Sequence, residues 1–574
     1  MDITPFLDMK IAPRAVFDSL AERKDRPRFY VPKSDGEYTT VTWGAFADLI
    51  KNATLFLGRA GLTSGDRGAI FSTNHVEWIA AALAIQASGG VMVPIYPAST
   101  ADQAAYIAKH CEAKVIFVAA PLLPRILEAW DDYAATKRFV TFEENVDIDK
   151  MVESLKAKGK KAPDASQVKE RVVNWKTVLS TGAARNSEDP SAFDRTMNGV
   201  SLDQPGMMLY TSGTTGNPKG VPLTHANVAA NGRDWLLCNG PLMEENAVDL
   251  LWLPMSHIFG FGEACLGNTL GFTTYLCDPA SVMAKLPLVQ PSVFMSVPSV
   301  WEKLAVGAMG ESTQEAQKAK LASLTGGKLR FCLSGGAGLK REVKEFFHQH
   351  GVLIIEGYGL TETSPTLTLN RPDAFRFDTV GKPLPSVEIK LAEDGEILAR
   401  GPNVFGGYFK DDDATKNAFT DDGWFKTGDV GQWTEDGFLK IVDRKKDILV
   451  TAGGKNVPPV NIEMRFADDP VFANVVVYGD AKKFLVLGVW LNDEVVAAEL
   501  AKQGIAKTPE SVEKLVWERI EKVNAGLAHH ETIKKFSIMQ KPLTVQNGLL
   551  TATLKVRRKK IYEAFHGEFE ALYQ

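Results

Sequence analysis

From Asp66 onward the chain alternates short, continuously apolar runs with longer amphipathic stretches: RGAIFSTN (67–74), WIAAALAIQASG (78–89), VMVPIYP (91–97), the polar TADQAAYIAKHCEAK (100–114) and VIFVAA (115–120). Apolar runs of roughly four to eight residues between helical stretches predict strand, helix, strand, helix, strand, the order of a parallel sheet. Between 144 and 204 the periodicity blurs into a Lys- and Ser-rich stretch, SLKAKGKKAPDASQ (154–167), which predicts an exposed insertion without chemistry of its own. The alternation resumes from Met207 to about Leu369. After Arg371 it gives way to Gly- and Pro-punctuated runs, VGKPLPSVEIKL (380–391) and GEILARGPNVFGGYF (395–409), which predict a small, mostly antiparallel β subdomain. The charged DRKKD (443–447) separates two strand-like pieces and is the predicted interdomain hinge. Beyond it, VVVYG (475–479), FLVLGVWL (484–491) and SVEKLVWERIEKVNAGL (511–527) suffice for a small α/β domain. The expected division is residues 1–443 and 444–574.

Composition narrows the function classes. A chain of 574 residues exceeds one core at roughly 100–200 residues per domain, and 45% apolar with 24% charged residues excludes disorder as the main state. Lys plus Arg number 65 against 70 Asp plus Glu, a net charge of −5, so no basic field points to nucleic acid. The cysteines (Cys111, Cys238, Cys265, Cys277 and Cys332) are odd in number and form no CxxC pair, which suggests neither a disulfide framework nor a zinc site and fits a reducing cytoplasm. The N-terminus has acids and prolines where a secretory signal needs a basic start and an apolar core. No apolar run approaches the roughly 20 residues that span a bilayer, so no transmembrane anchor is expected; peripheral membrane contact is left open.

Candidate chemistry concentrates in three segments. LYTSGTTGNPKGVPLTH (209–225) sets Thr211, Ser212, Thr214 and Thr215 among Gly213, Gly216 and Gly220, with Lys219 close behind. Hydroxyls, uncovered backbone N–H groups and one cation make a phosphate cradle in composition, although the spacing is not GxxxxGK[ST]. IEGYGLTETSP (355–365) follows an apolar run, where parallel strands end in functional loops. There Tyr358 is suited to stack on a purine, Thr361 to bond a phosphate and Glu362 to hold Mg²⁺. LSGGAG (333–338) offers bare backbone that can lie flat against a base or sugar.

With TGD (427–429) and DRKKD (443–447), these segments resemble the ordered signatures of the adenylate-forming superfamily, over most of the chain. PIYPAST (94–100), LPMSHIFG (253–260), VPSVWEKL (297–304), ETIKKF (531–536) and LTATLKVRRK (550–559) are similar to bacterial long-chain fatty acid–CoA ligases. The resemblance implies an α/β fold: a large N-terminal domain of two parallel-type sheets plus a small β subdomain, and a small mobile C-terminal domain. It implies a two-step reaction in which a medium- or long-chain fatty acid and ATP give acyl-adenylate and pyrophosphate, and coenzyme A then displaces AMP.

Carried over residue by residue, the resemblance assigns Thr211, Ser212, Gly213, Thr214, Thr215, Gly216 and Lys219 to the β- and γ-phosphates. Gly336, Ala337 and Tyr358 line the adenine, Thr361 touches the α-phosphate, Glu362 binds Mg²⁺, Asp429 accepts from the ribose hydroxyls and Arg444 lies near ribose and phosphate. The C-terminal text Thr551-Ala552-Thr553-Leu554-Lys555 departs from the commoner Ser-Gly-Lys ending and resembles the long-chain variant, so Lys555 is the adenylation lysine. Lys446 is the pivot. His257 faces the acyl carboxylate, Arg557 and Arg558 are candidates for coenzyme A phosphates, and Phe259, Phe261, Gly262, Leu266, Gly267 and Leu270 either line an acyl tunnel or pack as an ordinary helix. Homodimers are compatible with the resemblance. Two other readings are a fatty acyl-AMP ligase serving a carrier protein and, from a different class, a non-catalytic lipid-binding homologue. Against the latter stand intact Lys219, Glu362, Asp429, Arg444 and Lys555.

Overall fold

A computed structural model describes residues 2–33, 36–211, 217–244, 246–467, 469–551 and 555–574. A seven-stranded sheet has the spatial order Val172–Asn174, Arg138–Thr141, Val115–Val118, Arg67–Phe71, Val91–Ile95, Pro205–Thr211 and Lys219–Thr224. Its pairs are parallel except the last, an antiparallel hairpin closed by the Thr211–Lys219 pair. A nine-stranded sheet runs Lys382–Pro383, Thr366–Leu369, Ile354–Gly359, Phe331–Ser334, Val293–Ser296, Val248–Leu251, Thr273–Leu276, Pro27–Pro32 and Tyr38–Thr42. Its parallel centre also has antiparallel edges.

Helix Val76–Ala87 shows why the two sheets are one body. Eleven of its twelve residues are buried, as expected of a helix apolar all round. It shares a core with residues of both sheets, and Trp78 meets Phe261 at 5.7 Å between ring centroids. After the sheets, a four-stranded antiparallel subdomain (Glu388–Leu391, Glu396–Arg400, Phe425–Trp433, Leu439–Arg444) matches the expectation for the Gly- and Pro-punctuated stretch. The chain turns at 445–447 and enters a separate C-terminal unit. There a three-stranded sheet of Phe472–Tyr478, Leu485–Leu491 and Ile533–Ile538 packs Asp493–Lys502 and Pro509–Asn524 on one face and the last two helices on the other.

The stretch 144–204 is not the exposed insertion expected from its composition. Asp147 and Asp164 cap helices Ile148–Ala157 and Ala165–Arg171, strand Val172–Asn174 extends the seven-stranded sheet, and Asn174 caps helix Trp175–Glu188. The last of these lies so close to helix Trp43–Arg59 that a Cβ on Gly182 would sit 2.0 Å from the Asn52 carbonyl oxygen. Narrow buried stripes, such as Ile148, Val152 and Leu155, are enough for such helices, and long charged side chains conceal them in the sequence.

The nine-stranded sheet encloses a polar cluster. Buried Arg28 donates to Asn268 Oδ1 (2.9 Å), the Ala264 carbonyl (3.1 Å) and Thr274 Oγ1 (2.7 Å), and Thr274 Oγ1 donates to Asp249 Oδ2 (3.1 Å). Asp249 faces Glu263 in this cluster, so two buried carboxyls compete for charge. Burial, together with the Asp249 charge, holds Glu263 well above its ordinary 4.5. The folded chain therefore keeps a proton that the unfolded chain releases, and the stabilisation, full below 4.5, is lost as pH rises through the folded value. Glu263→Gln should stay within about 1 kcal/mol of wild type near pH 5 and gain on it as pH rises, whereas Glu263→Ala should lose about 3 kcal/mol. Urea midpoints across a pH series check this; parallel wild-type and Glu263→Gln curves would contradict the retained proton.

Candidate active site

The site lies where strand Ile354–Gly359 leaves the nine-stranded sheet and meets the β subdomain. Asp429, on strand Phe425–Trp433, pairs in register with Arg444 on Leu439–Arg444. Its two oxygens are both engaged: Tyr358 Oη donates to Oδ2 at 2.6 Å, and Arg444 Nε lies 2.8 Å from Oδ1. Burial raises the Asp429 carboxyl from its ordinary value, against the pull of Arg444 and Tyr358 toward its charged form. Glu362, in the 3₁₀ turn Thr361–Thr363, is buried; Tyr408 Oη donates to its Oε1 at 3.0 Å, and the Phe405 N–H donates to its carbonyl. Burial raises its pKa as well.

Lys219 begins the second hairpin strand, with Nζ 4.8 Å from the centroid of the Tyr408 ring and 3.9 Å from the Asp411 carboxylate. The Phe409 N–H donates to the Gly220 carbonyl, clasping the hairpin to the β subdomain. Thr211 ends the first strand; Ser212, Gly213, Thr214, Thr215 and Gly216 lie outside the described residues. Gly336 adopts φ +86°, open to glycine at little cost, and its carbonyl accepts from Lys555 Nζ at 3.2 Å. That bond spans from the C-terminal unit to the glycine loop. Partial desolvation, and then the Arg444 guanidinium, depress the Lys555 ammonium, although the residue keeps solvent exposure.

His257 caps helix Ile258–Leu270, its Nδ1 accepting from the Phe259 N–H at 3.1 Å. Burial, with the Lys555 charge, pushes it down to about 4, so the ring is neutral at physiological pH and carries its proton on Nε2. Lys446 occupies the turn after Leu439–Arg444, exposed along part of its side chain, and partial desolvation with the Arg444 charge lowers its pKa. Beside it Asp443 spans the junction of the two units, accepting from the N–H groups of Arg444 (2.6 Å) and Val460 (3.4 Å).

The structure thus brings together Tyr358, Thr361, Glu362, Asp429, Arg444, Gly336, His257 and Lys555, with Lys219 at the hairpin stem. Other expectations do not hold. Arg558 is buried in a bidentate pair with Glu463 (2.6 and 2.7 Å) and does not face a phosphate. Phe261 and Leu270 belong to the core, and a Cβ on Gly267 would lie 2.7 Å from Arg28 Nη2, so these three positions pack, whereas a Cβ on Gly262 would meet nothing within 4 Å. Phe259 instead covers Gly335, where a Cβ would meet its ring at 2.8 Å. Tyr408 and Asp411 escaped the sequence reading; the only signal was an aromatic and an acid in GGYFKD (406–411). Among the described residues no cluster of three or more His, Cys, Asp or Glu side chains is set to hold a metal.

The family described as AMP-binding enzyme matches residues 16–409. The chain belongs to it. The family described as AMP-binding enzyme C-terminal domain matches residues 446–574, in agreement with the resemblance carried by the motifs. Long-chain-fatty-acid–CoA ligase FadD15 of Mycobacterium bovis is 34% identical over 94% of this chain and 93% of its own length. Long-chain-fatty-acid–CoA ligase 6 of Homo sapiens is 29% identical over 88% and 78%. Among solved structures, the adenylation domain of a carboxylate reductase from Mycobacterium chelonae superposes with TM-score 0.80 at 21% identity, covering 100% of this chain and 92% of that one. O-succinylbenzoate coenzyme A synthetase from Bacillus subtilis, in complex with ATP and magnesium ion, gives 0.66 at 20% identity, covering 95% and 98%. These likenesses confirm the adenylate-forming fold with its separate C-terminal domain.

Tyr408→Phe removes the donor to Glu362 while keeping the ring beneath Lys219. It should weaken Mg²⁺-dependent ATP binding about tenfold and leave AMP binding within about twofold. Calorimetric titrations with and without Mg²⁺ separate the two, and an equal loss for both nucleotides would contradict a role through Glu362.

Proposed function

We propose that the protein is an AMP-forming fatty acid–CoA ligase acting on medium- or long-chain acids. The observation that carries this reading is the Lys555–Gly336 contact, which brings one ammonium from the C-terminal unit to the pocket holding Tyr358, Asp429, Arg444 and Glu362. The fatty acid–CoA ligases similar to this chain over nearly its whole length supply the substrate class.

A fatty acid carboxylate is a poor acyl donor because its oxygen leaves badly. Attack of that oxygen on the α-phosphorus of ATP expels pyrophosphate and gives the mixed anhydride, acyl-AMP. The thiolate of coenzyme A then attacks the acyl carbon and AMP departs. Phosphoryl chemistry of this kind depends on positioning and charge neutralisation. Asp429 orients the ribose, Tyr358 and the Gly336–Ala337 backbone hold the base, and Thr211, Lys219 and the loop 212–216 take the β- and γ-phosphates. Thr361 bonds the α-phosphate, and Lys555 neutralises the charge that develops there. His257, neutral with Nε2–H free to donate, orients the acyl carboxylate. A lone buried carboxylate at Glu362 suits Mg²⁺, which is held by one or two carboxylates plus substrate phosphates and supplies charge neutralisation when it arrives with the nucleotide.

Lys555 serves only the first step, so the small unit, residues 444–574, turns about Lys446 on the large unit, 1–443, to admit the thiol. Unpaired cysteines agree with a cytoplasmic site, and among the described residues no helix is long and apolar enough to cross a membrane.

Mass spectrometry of products from ATP, Mg²⁺ and a ladder of fatty acids tests the reading. Acyl-CoA forming only with coenzyme A, at a chain-length optimum, is expected; acyl-AMP accumulating despite coenzyme A would instead indicate a carrier-protein acceptor. Lys555→Ala should slow adenylation by roughly 10²–10³-fold and spare thiolysis of supplied acyl-AMP. Lys446→Pro should do the reverse, and single-turnover assays of each half-reaction distinguish them.

A further inference from the structure

The walls of the pocket assigned to adenine are tied together from behind. One wall is strand Ile354–Gly359 with Tyr358; the other is the loop Gly335-Gly336-Ala337-Gly338, which has almost no side chains with which to anchor itself. The loop is fixed by its backbone: the Gly335 N–H donates to the Ser296 carbonyl at 3.1 Å, and the Leu339 N–H donates to Glu356 Oε1 at 2.7 Å. Glu356 stands on the opposite wall, two residues before Tyr358. Its other oxygen is bonded to Lys344 of helix Arg341–Gln349, and the two side chains are only 5% and 4% exposed. An apolar pair of the same volume would be less costly to bury, so packing alone does not account for this one. What a carboxylate does here that an apolar side chain cannot do is hold a backbone N–H at a fixed distance. The pair also borders a cleft of about 1140 Å³, lined from the other side by residues of the C-terminal unit such as Met464 and Arg465.

We propose that Glu356, neutralised by Lys344, is a positioning residue that sets the spacing between the Gly336–Ala337 loop and Tyr358, and so the fit of the adenine ring. This rests on the assignment of that pocket to ATP.

Two variants of the full chain separate positioning from mere charge pairing. Glu356→Asp keeps the ion pair but withdraws the carboxylate from Leu339 by one methylene; the double variant E356Q/K344M removes both charges but keeps an acceptor of full reach. Positioning predicts that Glu356→Asp raises the KM for ATP and weakens calorimetric ATP binding about tenfold, with the KM for fatty acid unchanged, while the double variant stays near wild type. A folded Glu356→Asp with wild-type KM for ATP, or a folded double variant with a tenfold increase, overturns the proposal. Wild-type protein that binds no ATP overturns the functional reading together with it, whereas ATP binding equal in wild type and Glu356→Asp overturns the brace alone.

Discussion

The pocket depends on the Asp429 carboxylate. Its oxygens accept one bond from Tyr358, on the nine-stranded sheet, and one from Arg444, on the final strand before the hinge. A strand of the nine-stranded sheet and two paired strands of the β subdomain are therefore registered to one another by a single buried acid. Burial disfavours its charge, and each partner offsets part of that cost. Ribose hydroxyls, which need acceptors, would meet a carboxylate already held in orientation by the protein.

Around this junction the fold divides rigidity and motion. Helix Val76–Ala87 is buried between the sheets, and the bonds of Arg28 to Ala264 and Thr274, with Thr274 bonded to Asp249, lock helix Ile258–Leu270 to strands of three different segments. The C-terminal unit has its own core and meets the pocket through polar contacts: the Lys555 ammonium at Gly336 and the Asp443 carboxylate at Val460. Contacts of this kind can be broken and remade without exposing a core.

Much of this was legible in the sequence, for identifiable reasons. Parallel strands buried on both faces read as continuous apolar runs, and the glycine, threonine and acid signatures sit at strand ends where the backbone geometry is demanding. The stretch 144–204 was misread because capped helices with narrow buried stripes carry little periodic signal under a lysine-rich surface. Tyr408, Asp411 and the Glu356–Lys344 pair went unseen because each acts across the fold, on partners from 12 to 192 residues away. The acyl-tunnel reading of Gly267 and Leu270 gave way to packing for a similar reason: Arg28, more than two hundred residues earlier, occupies the space that an empty side chain leaves.

The bond from Lys555 ends on a main-chain oxygen. A carbonyl is present whatever side chain stands nearby, so the side chains around the glycine loop can drift in sequence while the lysine still finds its acceptor. A contact built this way sets no demand on the side chains around it, so the C-terminal unit keeps its hold on the glycine loop whatever those side chains become.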